Sequence, residues 1–346
     1  MVGSGAATVL VTGGAGYIGA HAVLALRAAG HGVVVIDDLS TGVASAVPAG
    51  VTLAVGDIGD RVLLDRVIAT RAVDAVMHFA GSVVVPESIE RPLAYYRNNT
   101  VNSHGLIEAC VAHGVKRLIF SSTAAVYGIP DRLPVAEDAP TRPINPYGAS
   151  KLMTETILSD TALAHDFRYV ALRYFNVAGA DRQGRCGQST PAATHLIKVG
   201  CQVATGQRQG LSIFGSDYPT ADGTGIRDYI HVSDLADAHV LALDYLSRGG
   251  ASQVLNCGYG HGYSVREVVR AIERATGQPL AVNQAPRRAG DPPALVADAT
   301  RIRSVLGWRP HHDDLDSIVA SALAWERKLA RTLAPAKGMS ANERDG

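Results

Sequence analysis

Short apolar runs alternate with amphipathic stretches along the first half of the chain. The apolar runs predict strands over Thr8–Val11, Val33–Ile36, Thr52–Val55, Ala75–Phe79, Arg117–Ser121 and Tyr169–Arg173. The amphipathic stretches predict helices over Ile18–Ala29, Arg61–Thr70, Leu93–His113 and Tyr147–Ala164. The predicted strands are continuously apolar rather than alternating, which is typical of a parallel sheet covered on both faces. Repeated strand–helix units of this kind predict a doubly wound α/β fold.

The pattern changes after Asn176, where turn-rich stretches appear at Gly179–Thr190 and Gly215–Gly225. Helices are predicted over Ala192–Thr205, Ser233–Leu246, Val265–Thr276 and Leu315–Leu333, and Val254–Asn256 predicts one more strand of the main sheet. We therefore predict a first domain over residues 1–176 and a smaller α/β lobe over 177–334, from which some segments return to the first domain. Residues 335–346 are expected to form a disordered tail.

Composition and charge exclude several classes of function. The 346 residues are 47% hydrophobic and carry 32 basic against 32 acidic side chains, which argues against a nucleic-acid or membrane-surface partner. We see no signal peptide, and no apolar run approaches the roughly 20 residues of a membrane span. The four cysteines form no C-x-x-C pair, and the histidines form no helical H-x-x-x-H pair. We therefore expect a cytoplasmic protein without a metal site.

A glycine-rich turn joins the first predicted strand to the first predicted helix. It reads Thr12-Gly13-Gly14-Ala15-Gly16-Tyr17-Ile18-Gly19, so that Gly13, Gly16 and Gly19 are spaced G-x-x-G-x-x-G. Such a turn lets the backbone approach a pyrophosphate, which the N–H groups and dipole of the following helix then bind. The position between a strand and a helix makes this a dinucleotide-binding signal rather than an ordinary turn.

Acidic residues end the next two predicted strands. Asp37 follows Gly19 by 18 residues, where a carboxylate accepts hydrogen bonds from the adenosine ribose and favours NAD over NADP. The alternative for Asp37 is a turn or N-cap aspartate. Asp57 and Ile58 are placed to meet the adenine, although Asp57 is nearly as well explained as a loop residue.

A tyrosine and a lysine stand four residues apart in Tyr147-Gly148-Ala149-Ser150-Lys151. On a helix the two side chains share one face, and a neighbouring ammonium lowers the pKa of a phenol towards that of a useful base. Thr123 follows the fifth predicted strand, at the sheet edge where such folds bind ligands. We expect Thr123 to hydrogen-bond a reacting oxygen, with a loop-capping hydroxyl as the alternative.

Together these segments resemble the extended short-chain dehydrogenase/reductases. The segments Thr12–Gly19, Ser121–Gly128 and Tyr147–Lys151 follow that family's order, and the resemblance covers residues 7–330. The second half is similar to the UDP-glucose 4-epimerases of that family, through the segments Leu172–Asn176, Ile213–Gly215, Asp217–Thr220, Asp222–Val232 and Ala285–Asp291. The resemblance implies a Rossmann-type doubly wound parallel sheet with a smaller substrate-binding lobe, and a homodimer.

The resemblance also implies roles for individual residues. Tyr147 is the implied base, Lys151 its partner and a ribose ligand, and Thr123 the hydroxyl donor. Further NAD contacts are implied for Tyr17, Ile18, Asp38, Phe79, Ala80, Gly81, Asn98 and Phe175. Substrate contacts are implied for Asn176, His195, Leu196, Arg227, Arg288 and Asp291. The guanidinium groups suit a diphosphate because they bind oxygens in pairs and stay charged; the alternative for Arg227 is an ion pair with Asp228 or Asp222.

Three positions depart from the family pattern. Val83 stands where a lysine often approaches the cofactor pyrophosphate, His195 replaces an asparagine that often meets the substrate, and Leu295 replaces a tyrosine that often narrows the sugar pocket. A smaller side chain at Leu295 is expected to admit an N-acetylated sugar.

The implied reaction is 4-epimerisation of a UDP-sugar, UDP-glucose or UDP-galactose, through a 4-keto intermediate with tightly bound NAD. The alternatives are 4-epimerisation of a UDP-N-acetylhexosamine, a UDP-pentose or a UDP-uronate. A 4,6-dehydratase is disfavoured because Ala124 and Ala125, rather than acidic residues, follow Thr123. A non-catalytic NAD-sensing regulator would have no need of the Tyr147, Lys151 and Thr123 set.

Overall fold

A computed structural model of the chain describes residues 6–190, 193–288 and 291–333. Its centre is a seven-stranded sheet with the order β11–β6–β5–β4–β1–β2–β3, in which all neighbouring strands are parallel. The strands of this sheet are β1 Thr8–Thr12, β2 Gly32–Asp37, β3 Thr52–Val55, β4 Ala75–His78, β5 Arg117–Thr123, β6 Arg168–Tyr174 and β11 Gln253–Cys257. The doubly wound α/β fold predicted from the apolar runs is therefore confirmed.

Helices cover both faces of the sheet. The α-helices of the described residues are α1 Tyr17–Ala28, α2 Arg61–Arg71, α3 Val85–Glu90, α4 Pro92–Tyr95, α5 Asn102–Ala112, α6 Pro146–Ala164, α7 Leu196–Ala204, α8 Val232–Ser247, α9 Val265–Thr276, α10 Thr300–Leu306 and α11 Leu315–Leu333. Val9 and Val11 of β1 face the core that contains α1 and α8, whereas Leu10 faces the core of α2, α5 and α6. Since both faces of the central strands are buried, most of their positions are apolar, which explains the continuous runs in the sequence.

The strand order reverses between β1 and β4. From β1 the chain moves outward to β2 and β3, and then returns to place β4 on the other side of β1. The loops that follow β1 and β4 therefore leave in opposite directions and open a crevice at the carboxyl ends of the strands. Ligands of doubly wound sheets bind in such a crevice, and Thr12 and His78 mark its two sides.

The second half of the chain adds three small sheets. They are β7 Asn176–Ala178 with β10 Tyr229–His231; β8 Leu211–Phe214 with β13 Val282–Ala285; and β9 Ile226–Arg227 between β12 Tyr263–Ser264 and β14 Ala294–Leu295. These short strands were not predicted. The predicted strand Val254–Asn256 is confirmed as part of β11, which joins the main sheet. The domain division at residue 176 remains our proposal.

Some predicted helices differ from those observed. The stretch Leu93–His113 is interrupted by a π-helical turn at Tyr96–Val101, between α4 and α5. The helix expected from Ala192 begins at Leu196, and residues 191–192 lie outside the described part of the chain. The expected tail at 335–346 also lies outside it. Among the described residues, no helix is both long and apolar enough to cross a membrane.

Candidate functional site

The turn between β1 and α1 is closely packed against the loop that follows β4. Gly13 has a φ of +72°, and a Cβ there would lie 2.6 Å from the backbone nitrogen of Ala80. A Cβ on Gly19 would lie 2.1 Å from the carbonyl oxygen of Gly13. Only glycine fits these two positions, so the backbone itself forms the surface at the crevice, as a pyrophosphate site requires.

The first turn of α1 is free of competing side chains. Gly16 precedes the helix and makes no side-chain cap, and the first turn contains no acidic residue. The N–H groups of a helix's first turn have no partner within the helix, and the dipole places partial positive charge at this end. This cradle fits the pyrophosphate of a dinucleotide. Tyr17 and Ile18 form the start of the helix, and the Tyr17 hydroxyl donates to the carbonyl oxygen of Gly179 at 2.6 Å.

Asp37 is buried at the end of β2 and orders the glycine turn. Its carboxylate accepts hydrogen bonds from the backbone nitrogens of Ala15 and Leu39, both at 2.9 Å. The turn interpretation of Asp37 is therefore correct as far as it goes. Asp37 can still accept hydrogen bonds from ribose hydroxyls, because a carboxylate can accept about four hydrogen bonds. Asp38 instead accepts from the backbone and hydroxyl of Ser40.

The residues after β3 form a second polar edge of the crevice. Asp57 accepts from the backbone nitrogen of Gly59 at 2.7 Å and from the Asn102 amide at 3.1 Å, whereas Ile58 is buried in the core below. Asn98, within the π-helical turn, donates to the Ser82 hydroxyl at 2.9 Å. π-helical turns of this kind are frequent at functional sites.

Asn99, which was not predicted as a site residue, holds the loop after β4 in place. Its side-chain oxygen accepts from the Ser82 backbone nitrogen at 2.7 Å, and its amide donates to the Ser82 carbonyl at 2.9 Å and the Ser150 hydroxyl at 3.0 Å. Asn99 therefore ties the loop to helix α6. The sequence shows two adjacent asparagines, but only the structure shows which one is buried.

The segment Phe79–Gly81 lies between this loop and the glycine turn. The backbone nitrogens of Phe79 and Ala80 both donate to the Thr12 carbonyl oxygen, at 2.9 and 3.1 Å. The Phe79 ring packs against the imidazole of His239, with 4.7 Å between ring centroids. Val83, which replaces the family's lysine, is 45% exposed.

Tyr147 is buried in the first turn of α6, with Thr123 close to its phenol. Burial raises the pKa of the phenol, while the nearby Thr123 hydroxyl acts to lower it. Thr123 also accepts from the Ala125 backbone nitrogen at 3.1 Å. The capping role considered as an alternative for Thr123 is thus present together with the contact to Tyr147.

The Lys151 ammonium lies against strand β5. Its ammonium donates to the Ser121 carbonyl at 3.0 Å and lies 4.9 Å from the centre of the Phe120 ring. Burial lowers the pKa of Lys151 to about 8. Burial has the largest influence on the pKa of the Tyr147 phenol, which it raises, and the lowering of this pKa by Lys151 stays a prediction.

Arg227 and Asp291, both predicted to bind substrate, form an ion pair with each other. Neither of the two aspartates considered as alternative partners forms an ion pair with Arg227. Asp228 is buried and accepts hydrogen bonds from the backbone nitrogens of Tyr259, Gly260 and Ala297. Asp222 accepts hydrogen bonds from the hydroxyls of Thr224 and Ser264.

The guanidinium of Arg288 lies 3.8 Å from the centre of the Phe214 ring. Phe214 was not among the site residues predicted from the sequence. Stacking of this kind leaves the guanidinium N–H groups free to bind oxygens at the ring's edge.

Phe175 and Leu295 belong to one apolar cluster with Ala124, the residue that follows Thr123 in the sequence. Asn176, His195 and Leu196 instead line a small pocket of about 20 Å³. His195 Nδ1 lies 2.8 Å from the Gln188 amide nitrogen. Tyr147, Thr123 and Lys151 do not line this pocket, so the structure does not unite all the predicted substrate residues in one cavity.

Among the described residues, no group of three or more histidine, cysteine or carboxylate side chains is arranged to hold a metal ion.

Comparisons with known proteins found similar sequences and structures. Residues 9–258 match the sequence profile described as "NAD dependent epimerase/dehydratase family". The UDP-glucose 4-epimerase of Azospirillum brasilense is 63% identical over 95% of this chain and 94% of its own length.

Two solved structures are also similar. The UDP-glucose 4-epimerase of Bifidobacterium longum in complex with NAD+ and UDP is 41% identical, with a TM-score of 0.89 over 93% of this chain and 98% of that one. The UDP-Glc/GlcNAc 4-epimerase of Campylobacter jejuni is 47% identical, with a TM-score of 0.82 over 93% and 99%.

Proposed function

The chain belongs to the NAD dependent epimerase/dehydratase family, and we propose that it inverts C4 of UDP-glucose with Tyr147 as the proton acceptor. It is an NAD-dependent isomerase of UDP-sugars. The observation that carries the proposed mechanism is the buried contact between Tyr147 and Thr123 at the carboxyl end of β5. This contact lies on the same sheet edge as the glycine cradle.

In the proposed reaction, Tyr147 accepts the proton of the sugar 4-hydroxyl while Thr123 hydrogen-bonds the same oxygen. When bound, NAD supplies reversible redox chemistry at C4, so that the sugar passes through a 4-keto form without net oxidation. A phenol whose pKa is raised by burial needs positive charge nearby to work at neutral pH. Lys151, four residues along α6, contributes one such charge.

The second half of the chain is proposed to bind the nucleotide. Arg227, now paired with Asp291, would exchange this partner for a diphosphate oxygen, and Arg288 would bind from its position over Phe214. Asn176, His195 and Leu196 are proposed as further contacts to the substrate. Firm binding of the diphosphate would leave the sugar ring free to turn between the two half-reactions.

The Tyr147→Phe variant tests the assignment of the base. We expect kcat to fall by about 10³-fold or more, because the general base and its contribution to catalysis are lost. Bound NAD and the Kd for UDP should stay within about twofold, because the phenyl ring fills the same space. Turnover of UDP-glucose by the unsubstituted protein, followed as formation of UDP-galactose, is the reference. Near-normal turnover of Tyr147→Phe would remove Tyr147 from its role.

UDP-N-acetylhexosamine is a second candidate substrate, favoured by Leu295. This side chain packs beside Phe175 and Ala124 in the wall next to Thr123, where a tyrosine would occupy more of the sugar space. We expect UDP-N-acetylglucosamine to be epimerised, and Leu295→Tyr to reduce that activity at least about tenfold while sparing UDP-glucose, since steric exclusion acts on the larger sugar alone. A panel that also includes UDP-xylose and UDP-glucuronate measures the preference. Equal loss for both hexoses would exclude a selective role for Leu295.

A homodimer is proposed from an apolar surface on the first domain. Leu93, Val101 and Met153 are 81%, 58% and 46% exposed, and we call them the apolar patch. Leu93 and Val101 are eight residues apart on one helical segment, and Thr100 contacts Met153 of α6. Exposed apolar groups gathered in one area favour association with a second copy.

A cytoplasmic location is proposed because all four cysteines are buried free thiols, as is typical of a reducing compartment.

A further inference from the structure

A buried ion pair lies one helical turn beyond Lys151. Tyr147, Lys151 and Glu155 follow one another at four-residue intervals on the buried face of α6. Arg173 of β6 donates to the Glu155 carboxylate from Nε at 3.0 Å and from Nη2 at 2.6 Å. The two side chains are 7% and 5% exposed. The proposed reaction uses neither of them.

The same carboxylate holds the end of β5. The Ser122 hydroxyl donates to Glu155, and Ser122 is the residue directly before Thr123. Glu155 therefore connects the helix that carries Tyr147 to the strand that carries Thr123, while Arg173 adds the neighbouring strand β6. A buried ion pair is seldom more stabilising than apolar side chains of the same size, so stability alone is a weak reason for this arrangement.

A second arm of the network reaches the other side of Thr123. Arg173 Nη1 donates to the Tyr127 hydroxyl at 3.0 Å, and this hydroxyl donates to the Asn256 side-chain oxygen at 2.7 Å. Tyr127 ends the 3₁₀ turn that begins directly after Thr123. Thr123 is thus fixed by Ser122 before it and by Tyr127 after it, and both contacts lead to the same ion pair.

We propose that Glu155 and Arg173 are positioning residues that hold the Tyr147 phenol and the Thr123 hydroxyl in register for proton transfer. This inference rests on the proposed function. The two hydroxyls sit on different elements, α6 and β5, which the Glu155 carboxylate joins. Their register sets the hydrogen bond that stabilises the phenolate and the direction from which both groups meet a sugar oxygen. Small errors in such geometry reduce the rate of the chemical step and not ground-state binding.

Ser122→Ala is the first test, because it removes one contact to Glu155 and leaves the ion pair in place. With the NAD-loaded protein, we expect kcat per bound NAD to fall about tenfold while KM for UDP-glucose stays within about twofold. The primary isotope effect on kcat with UDP-glucose deuterated at C4 should increase, because the chemical step becomes more rate-limiting. Unchanged kcat and an unchanged isotope effect would overturn the proposal.

A double-mutant cycle separates positioning from stability. Glu155→Gln and Arg173→Gln each leave one buried charge without its partner, which lowers Tm. The double variant removes both charges and should recover most of the lost Tm, yet its kcat per bound NAD should remain at least about tenfold below normal. Recovery of kcat together with Tm would show that the pair acts through stability alone. If a single variant does not fold, Ser122→Ala still decides.

Ile68→Ala is the matched control. Ile68 is buried in the core on the α2 side of the sheet, away from the network, so this variant should lower Tm while kcat per bound NAD and the isotope effect stay normal. The two proposals fail in different ways. An unsubstituted protein that does not epimerise UDP-glucose overturns the proposed function, whereas an active protein that tolerates Ser122→Ala overturns only the positioning role.

Discussion

At the scale of single residues, buried histidines near the crevice are held neutral. His78 is bridged by the hydroxyls of Thr12 and Ser103, each at 2.7 Å, and burial lowers its pKa to about 3. His239 contacts the Leu235 carbonyl through Nδ1 at 2.8 Å, and its Nε2 has no hydrogen-bond partner within the described part of the chain. These imidazoles pack as uncharged rings, and a proton on either one would place an uncompensated charge in the core.

His239→Leu is predicted to make the fold less sensitive to acid. Burial lowers the pKa of His239 to about 4, whereas in the unfolded chain it is about 6.5. The unfolded state therefore binds the proton first, and stability is lost as the pH falls from about 6.5 to about 4. Between about pH 7 and pH 5 this residue accounts for a loss of about 2 kcal/mol. Urea unfolding at both pH values should show a loss in His239→Leu that is smaller by this amount.

Leu243→Ala is the control for this prediction. Leu243 is buried on the same helix, α8, and its truncation should lower the free energy of unfolding about equally at both pH values. An acid-induced loss in His239→Leu as large as that of the unsubstituted protein would show that His239 is not the group that titrates.

At the scale of elements, the β1–α1 turn depends on backbone atoms that leave no room for side chains. A Cβ on Gly14 would lie 2.7 Å from a methyl group of Val35, and one on Gly19 would meet the Gly13 carbonyl. A flexible side chain can move aside, but a backbone carbonyl in a tight turn cannot do so without moving the whole turn. The start of α1, and with it the proposed pyrophosphate cradle, is thus fixed by packing.

Gly19→Ala is predicted to weaken NAD binding at least about 100-fold, because the added methyl group displaces the turn and the helix N-terminus that bind the pyrophosphate. The NAD content of the purified protein and titration of NAD-depleted protein measure the effect. Gly105→Ala is the control: Gly105 lies in α5 and a Cβ there meets nothing within 4 Å. This control should keep its NAD and gain up to about 1 kcal/mol of stability. Normal NAD affinity in Gly19→Ala would contradict the cradle.

At the scale of the whole molecule, the apolar patch of Leu93, Val101 and Met153 lies on helices that also support the site. The π-helical turn that carries Val101 also carries Asn98 and Asn99, and α6 carries both Met153 and Tyr147. Association through this patch would therefore involve helix α6, which carries Tyr147, and the helical turn that orders the loop after β4.

Val101→Arg is predicted to dissociate the proposed homodimer, because it places a charge in the centre of an apolar contact. Sedimentation velocity should show a dimer for the unsubstituted chain and a monomer for the variant. Val62→Arg is the control, since Val62 is 76% exposed on α2 and lies outside the patch. A monomeric unsubstituted chain, or a Val101→Arg variant that stays dimeric, would rule out this interface.

The sequence by itself determined the main sheet, most of its helices and the glycine turn. Each of these follows from a local signal: a continuous apolar run, a helical period, or glycines spaced around a strand end. The pairing of Tyr147 with Lys151 on one helix face could also be predicted, because side chains four residues apart on a helix lie on the same face. These features depend on neighbours within a few positions, and such patterns survive in the linear sequence.

Only the tertiary structure decided which residues far apart in the sequence become hydrogen-bond or ion-pair partners. It directed Lys151 to the Ser121 carbonyl, paired Arg227 with Asp291, and buried Asn99 rather than Asn98. It also joined Glu155 to Arg173 across 18 residues of sequence. Partners of this kind are chosen by the packing of separate elements, and burial then sets the pKa of each group. The spacing of residues along the sequence predicts neither the partner of a charged group nor the local dielectric around it.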